Sequence, residues 1–330
     1  YSPVRFNEKY KDHITKSFFI NLILNTQATK FIGNENKTES VECIFNNQSF
    51  KIKSKFFILC AGGIENSRIL LWSRINGNLI NKNSPVGMHW MTHPWFLGGY
   101  GVLKKKELSK FLGNNYINRD GPLHIASSNI LKKEKNILSG SIYMDVKENK
   151  KFYKEIIKDL LCVAPEFGKK IARNILEKDL KCGNIFMHLE DPPNNENKIS
   201  LDINTKDNNG IPITNLFYKE SQKTLLTAKI ILEEFGDICR KFNFGRIAIK
   251  KDIDDLKKYE SLGVYHHIGG TRIGKDSKNS VVDENLKIHD NKNLYVLGSS
   301  IFPTSGYTNP TFTIIQLSLR LGEKISRELS

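Results

Sequence analysis

The sequence predicts a mixed α/β fold of the α+β kind, with a strand-turn-helix unit beside an antiparallel sheet and its covering helices. Three observations carry that expectation. Residues 57–71, FILCAGGIENSRILL, read as a strand, a glycine turn and a helix. Residues 184–218 break into apolar runs separated by Pro- and Asn-rich turns, the pattern of strands joined by tight connections. Two long segments near 221–242 and 311–327 read as helices.

Taken in order, residues 21–32 (NLILNTQATKFI) and 50–59 (FKIKSKFFIL) are rich in β-branched and aromatic residues with partial alternation, so both are expected as strands. The second runs into Cys60-Ala61-Gly62-Gly63. Two glycines there let the backbone approach a ligand closely and leave a helix start facing it. A plain strand-to-helix connection has the same appearance. Residues 85–101 turn aromatic and irregular. His89 and His93 stand four apart, a spacing that suits metal ligation on a helix, but Pro94, Gly98 and Gly99 oppose a helix and no third ligand is near; a structural loop is expected. Between 102 and 180 lie strand-like pieces and an amphipathic helix near 151–176. A strand over 184–190, a turn from Asp191, a second turn at 207–212, a strand to Tyr218 and the helix at 221–242 follow. The sequence has no internal repeat and no low-complexity linker.

Composition sets the outer limits. The 330 residues include 39% hydrophobic and 10% aromatic side chains, enough for a core. No run approaches the roughly 20 apolar residues that span a bilayer, so no membrane span is expected. The formal charge of +15 raises a nucleic-acid reading. The lysines, however, sit in short dispersed clusters mixed with Glu and Asn, with no arginine-rich patch or DNA-binding spacing, and the reading favoured is no nucleic-acid partner. Five scattered cysteines, odd in number and without CxxC, suit reduced thiols, and a cytoplasmic location is expected on that basis.

The last 70 residues are the most informative. YHHIGGTRIG (265–274) joins a histidine pair to a glycine-rich turn, SVVDENLKI (280–288) and the apolar strand NLYVLG (293–298) follow, and a loop leads to Asn309-Pro310. Asn309 suits an N-cap and Pro310 the first helical position. Phe312, Ile315 and Leu319 give the helix a wide apolar face, so it is expected to be largely buried.

These blocks, in this order and spacing, resemble the carboxy-terminal signature of the glucose–methanol–choline (GMC) oxidoreductase family. SPVRF (2–6), FILCAGGIENSRILL (57–71), VGMHWMTHP (86–94) and EDPPNNENKISLD (190–202) are similar to earlier pieces of that family. The resemblance implies FAD as cofactor and oxidation of an alcohol by hydride transfer to the flavin. It casts His267 as the general base and Asn309 as the second polar group on the substrate oxygen. It assigns Ala61 and Gly62 to a flavin-side turn, Gly298 and Ser299 to the ribityl and phosphate region, Ala28 to an adenine contact, and Pro310 and Thr311 to the helix start facing the flavin ring. It also implies a discontinuous, incomplete FAD-binding Rossmann-like domain over 1–84 and 262–330, with a substrate domain over 85–261. The substrate implied is a small alcohol, with a lean toward a sugar or polyol. The family's GxGxxG fingerprint occurs nowhere in the 330 residues. A truncated or split chain is therefore expected, with an N-terminal FAD-binding segment as a possible separate partner; a catalytically inactive remnant is the alternative.

Overall fold

The computed structural model describes residues 4–76, 79–104, 107, 124–145, 180–250 and 266–330. Its helices are α1 (Phe6–Lys9), α2 (Lys11–Lys16), α3 (Glu65–Ile75), α4 (Asn129–Glu134), α5 (Gln222–Lys241) and α6 (Thr311–Leu329). Its strands are β1 (Gln27–Asn34), β2 (Lys37–Phe45), β3 (Gln48–Lys53), β4 (Phe57–Leu59), β5 (Trp95–Lys104), β6 (His124–Ala126), β7 (Gly140–Asp145), β8 (Leu180–Leu189), β9 (Lys198–Lys206), β10 (Pro212–Phe217), β11 (Gly245–Ile249) and β12 (Leu294–Val296). The amphipathic helix expected near 151–176 lies outside the described residues.

Two hydrophobic cores form. The first joins the beginning and end of the chain: Phe57 and Leu59 of β4, Leu70 of α3, Leu294 and Val296 of β12, and Leu321 and Ile325 of α6 pack together. Here β4 and β12 pair in parallel, Phe57 against Leu294 and Leu59 against Val296. Asn293 fixes that pairing. It accepts the Thr38 amide at 2.9 Å and donates to the carbonyls of Thr38 and Lys55. Alongside, β1, β2 and β3 form an antiparallel sheet. Its second hairpin turns on Asn46 and Asn47, both at positive φ (49° and 62°), as a two-residue turn matched to strand twist requires.

The second core lies between a five-stranded antiparallel sheet, ordered β11-β5-β8-β7-β6, and the long helix α5. Burial alternates along β8 with period two. Ile185, Met187 and Leu189 face the helix, while Phe186 and His188 point the other way and are half-buried. The β9–β10 hairpin is clipped to α3 by Arg68, whose guanidinium meets Asp207 at 2.6 Å.

Three sequence expectations need correction. The strand expected over 21–32 starts only at Gln27, and residues 21–24 are exposed coil; apolar content alone does not make a strand without a partner edge. The run 50–59 is split: β3 joins the antiparallel sheet, β4 the parallel pair, and Ser54–Phe56 connect them. Helix α6 is not largely buried. Phe312 is 72% and Leu319 60% exposed, Ile315 is also exposed, and only Leu321 and Ile325 are buried. The periodicity defines an apolar face correctly, but burial needs a surface opposite that face.

Candidate active site

Strands β4 and β12 end side by side, Leu297 donating its amide to the Leu59 carbonyl at 2.9 Å. The chain segments just beyond them, Ala61–Gly62 and Gly298–Ser299, are joined by Asn66 in the first turn of α3. Its fully buried amide accepts from Ala61 N at 2.7 Å and donates to Leu297 O at 3.0 Å and Ser300 Oγ at 2.8 Å. Gly62 and Gly298 adopt φ of +99° and +117°, a region that suits only glycine readily. A Cβ on Gly62 would meet nothing within 4 Å, and on Gly298 would reach only Asn66 Nδ2 at 3.8 Å. The glycines therefore leave open backbone at the carboxyl ends of two parallel strands.

Gly63 serves differently. A Cβ there would stand 2.2 Å from the His267 carbonyl oxygen, so the missing side chain lets the His267 backbone pass against the turn. From the other side, Ser299 Oγ donates to the same carbonyl at 2.6 Å. Both glycine-bearing turns thus hold His267. Deeper still, Thr271 donates its hydroxyl to Ser300 Oγ at 2.6 Å and its amide to Ser300 O at 3.0 Å. The His267 ring stacks on Trp90 (centroids 5.7 Å, 29°), and Trp90 meets Tyr218 edge-on at 5.5 Å. His267 Nδ1 is buried without a hydrogen-bond partner. Burial, and then the neighbouring His266, lower the His267 pKa, so its ring is neutral at pH 7.

More imidazoles surround it. His93 and His266 are hydrogen-bonded through their rings, with centroids 4.5 Å apart. His188 and His124 lie ring to ring at 5.4 Å. Burial first, then the adjacent imidazoles, push His93 and His188 down to about 4, against a weaker opposing pull from the Gly306 and Tyr307 carbonyls. The loop carrying those carbonyls leads to α6. It is anchored at Ser305, which accepts the Asp191 amide and donates to the Asp191 carbonyl, each at 2.9 Å. The Asp191 carboxyl is completely buried beside Tyr218, its Oδ2 accepting the Thr92 amide, and burial raises it to about 7.

The residues singled out in the sequence distribute as follows. His267, Ala61, Gly62, Gly298 and Ser299 come together around Asn66 and Gly63. Asn309 is exposed, Pro310 buried and Thr311 exposed, just beyond the loop that meets the histidines. Asn309 is not the N-cap: Pro310 takes that position, at φ −76°, its carbonyl accepting from Ile314 N, with no side-chain cap. Pro310 already has helical backbone angles, so the two assignments differ by one residue at the helix boundary. Ala28 lies on β1 opposite Cys43 and is exposed, and no hydrogen bond among the described residues ties it to the glycine turns. Asn66, Thr271, Ser300, Trp90, Asp191 and Tyr218 were not foreseen. Asn66, Thr271, Trp90 and Asp191 lie within sequence blocks quoted above, but nothing local marked their side chains as site residues. Among the described residues no group of three or more His, Cys, Asp or Glu could hold a metal ion.

Residues 193–318 match the family model described as GMC oxidoreductase. The chain is 25% identical over 287 residues to the fructose dehydrogenase large subunit of Gluconobacter japonicus, covering 86% of this chain and 49% of that protein. It is 26% identical over 299 residues to 2-methyl-1,2-propanediol dehydrogenase of Mycolicibacterium austroafricanum, covering 85% and 49%. The solved structure of pyridoxine 4-oxidase from Mesorbium loti superposes with a TM-score of 0.56 at 13% identity, over 92% of this chain and 57% of that one. The chain spans about half the length of the curated relatives it matches.

Proposed function

We propose that the chain supplies the base and the substrate-facing part of an FAD-dependent alcohol oxidation, acting on a sugar or polyol. The observation that carries this reading is that both glycine turns hold the backbone of one residue, His267, at its carbonyl, through Gly63 and through Ser299. Neutral at pH 7, His267 would accept the proton from the substrate hydroxyl. Bound FAD would supply the hydride acceptor. The residues present fit such a group: Ala61–Gly62 and Gly298–Ser299 offer side-chain-free backbone at strand carboxyl ends, the position where ligands settle in parallel sheets. The helix start after Pro310 would present the N–H groups of its first turn, beginning with Thr311, to negative charge, Asn309 would hydrogen-bond the substrate oxygen, and Ala28 would contact adenine.

The same reading divides the chain into a cofactor domain, 1–84 with 262–330, and a substrate domain, 85–261. The two separate hydrophobic cores support it. It also includes an N-terminal FAD-binding segment as partner. The uncovered face of α6 and the 44% exposed Ile58 of β4 support that part, because parallel strands are normally covered on both faces. The dehydrogenases named above, of fructose and of a propanediol, support a polyhydroxy substrate.

The test is anaerobic mixing of FAD-loaded protein, co-produced with a GxGxxG-bearing segment, with a polyol. The flavin absorbance should bleach. In His267→Ala, bleaching should slow by a factor on the order of 10²–10⁴ while the flavin stays bound. A variant that is reduced at the normal rate would remove the base assignment.

A further inference from the structure

The segment before β5 and the histidine-glycine block lie against each other. Met91 and Ile268 form an antiparallel bridge, exchanging backbone hydrogen bonds at 2.7 and 3.0 Å. Trp90 and His267 each precede the bridge by one residue in their own segment. That makes them diagonal neighbours, a relation within reach of large rings. Their rings stack, with centroids 5.7 Å apart and planes inclined by 29°. Gly269 has φ of +78°, and a Cβ there would stand 2.2 Å from the His89 carbonyl oxygen. The missing side chain lets the segment carrying Trp90 close on the block carrying His267.

Trp90 is itself firmly held and is 3% exposed. Its amide donates to the Asn197 carbonyl at 3.1 Å, and the Asn197 side-chain oxygen accepts the Lys219 amide at 2.7 Å. The completely buried Asn197 thus ties Trp90 to the chain beside Tyr218, whose ring meets the indole edge-on at 89°. Trp90 Nε1 has no hydrogen-bond partner among the described residues, so packing sets the plane of the indole.

The stack matters because of what His267 lacks. A histidine base becomes a cation when it takes a proton, and in Ser-His-Asp enzymes a carboxylate on the second ring nitrogen steadies that charge. His267 Nδ1 is buried with no hydrogen-bond partner among the described residues. The titratable neighbour that bears on the ring is His266, a second imidazole, which opposes protonation. Trp90 supplies a contact of the other sign, because the face of an indole attracts a cation more strongly than any other aromatic side chain does.

We propose that Trp90 is the positioning residue of the base: its indole fixes the plane of the His267 ring and stabilises the imidazolium formed when the substrate hydroxyl gives up its proton. In that step the proton leaves the substrate oxygen and joins the imidazole, which gains one positive charge. The proposal rests on the alcohol-oxidation reading and names the group that tunes its base.

The test follows the histidine ring-proton NMR signals of the 330-residue chain against pH, the His267 signal being the one missing from His267→Ala. In the unmodified chain that signal should lie upfield of the exposed His13, since a stacked indole shields it. In Trp90→Leu it should return downfield, and its titration midpoint should fall by about 0.5–1 pH unit, the scale of one cation–ring contact. Trp90→Phe, which keeps a weaker face, should fall between. A midpoint that stays put in both variants overturns the proposal. An unshielded His267 signal in the unmodified chain also overturns it, a readout that does not depend on any variant folding. In FAD-loaded protein co-produced with a GxGxxG-bearing segment, the acid limb of the bleaching rate should move to lower pH in Trp90→Phe, because a weaker base stays neutral further down. A loss of rate equal at every pH overturns the proposal. A shielded, Trp90-dependent His267 midpoint in a protein whose flavin no alcohol reduces supports the stack and overturns the hydride-transfer reading.

Discussion

Asn66 shows how much of the site depends on one side chain. Its carboxamide satisfies the Ala61 amide, the Leu297 carbonyl and the Ser300 hydroxyl, and so locks the two glycine turns to each other. Removing it leaves buried groups unpaired, each at about 1–3 kcal/mol. Asn66→Ala should therefore cost about 3 kcal/mol or more in urea unfolding, and Asn66→Asp should not restore it, because a carboxylate cannot donate to Leu297 or Ser300. Gly63 makes the opposite demand. Gly63→Ala would place a methyl within 2.2 Å of backbone oxygen, so the His267 segment must shift. Its expected signature is a displaced His267 ring-proton resonance with a lowered unfolding midpoint.

At the scale of elements, α6 is the informative case. Its buried side supplies Leu321 and Ile325 to the first core, while Phe312, Ile315 and Leu319 form a contiguous exposed stripe. Exposed apolar surface of this kind drives association. Phe312→Lys with Leu319→Lys should change the stability of the chain by no more than about 0.5 kcal/mol per site, as surface substitutions do. The pair should also reduce concentration-dependent light scattering and weaken capture of an FAD-binding segment. A large loss of stability would show that the stripe is already covered within this chain. The strands tell a related story. The glycine turn after β4 and the histidine-glycine block before β12 were legible in the sequence because turn chemistry is local. The split of residues 50–59 between two sheets was not legible, since it depends on Asn293 pulling Phe57–Leu59 toward a strand more than two hundred residues away.

At the scale of the molecule, the buried imidazoles set the response to acid. His93 and His188, held at about 4 when folded against about 6.5 unfolded, bind more protons in the unfolded chain between those values. Their contribution is fully present above about pH 6.5 and is lost as pH falls toward 4. Asp191, held at about 7 when folded against about 3.9 unfolded, acts with the opposite sign over the same window. Two groups outweigh one, and the thermal midpoint should rise between pH 4.5 and 6.5. Asp191→Asn should steepen that rise and His188→Gln should flatten it. A midpoint that falls across this window in the unmodified chain would contradict the burial of the imidazoles.

By itself the sequence determined the strand-glycine-helix unit, the antiparallel region with its helix, the helix after Asn309-Pro310, and the histidine and glycine residues that make up the candidate site. All of these rest on local signals: apolar periodicity, turn residues and backbone freedom read over a few positions. The tertiary structure alone decided that Asn66 joins the two turns, that Gly63 and Ser299 hold the same histidine, that Asp191 and Tyr218 stand behind Trp90, and that the apolar face of α6 is left open. Each of those depends on which surfaces meet after the chain has closed on itself, and spacing along the chain carries no record of that.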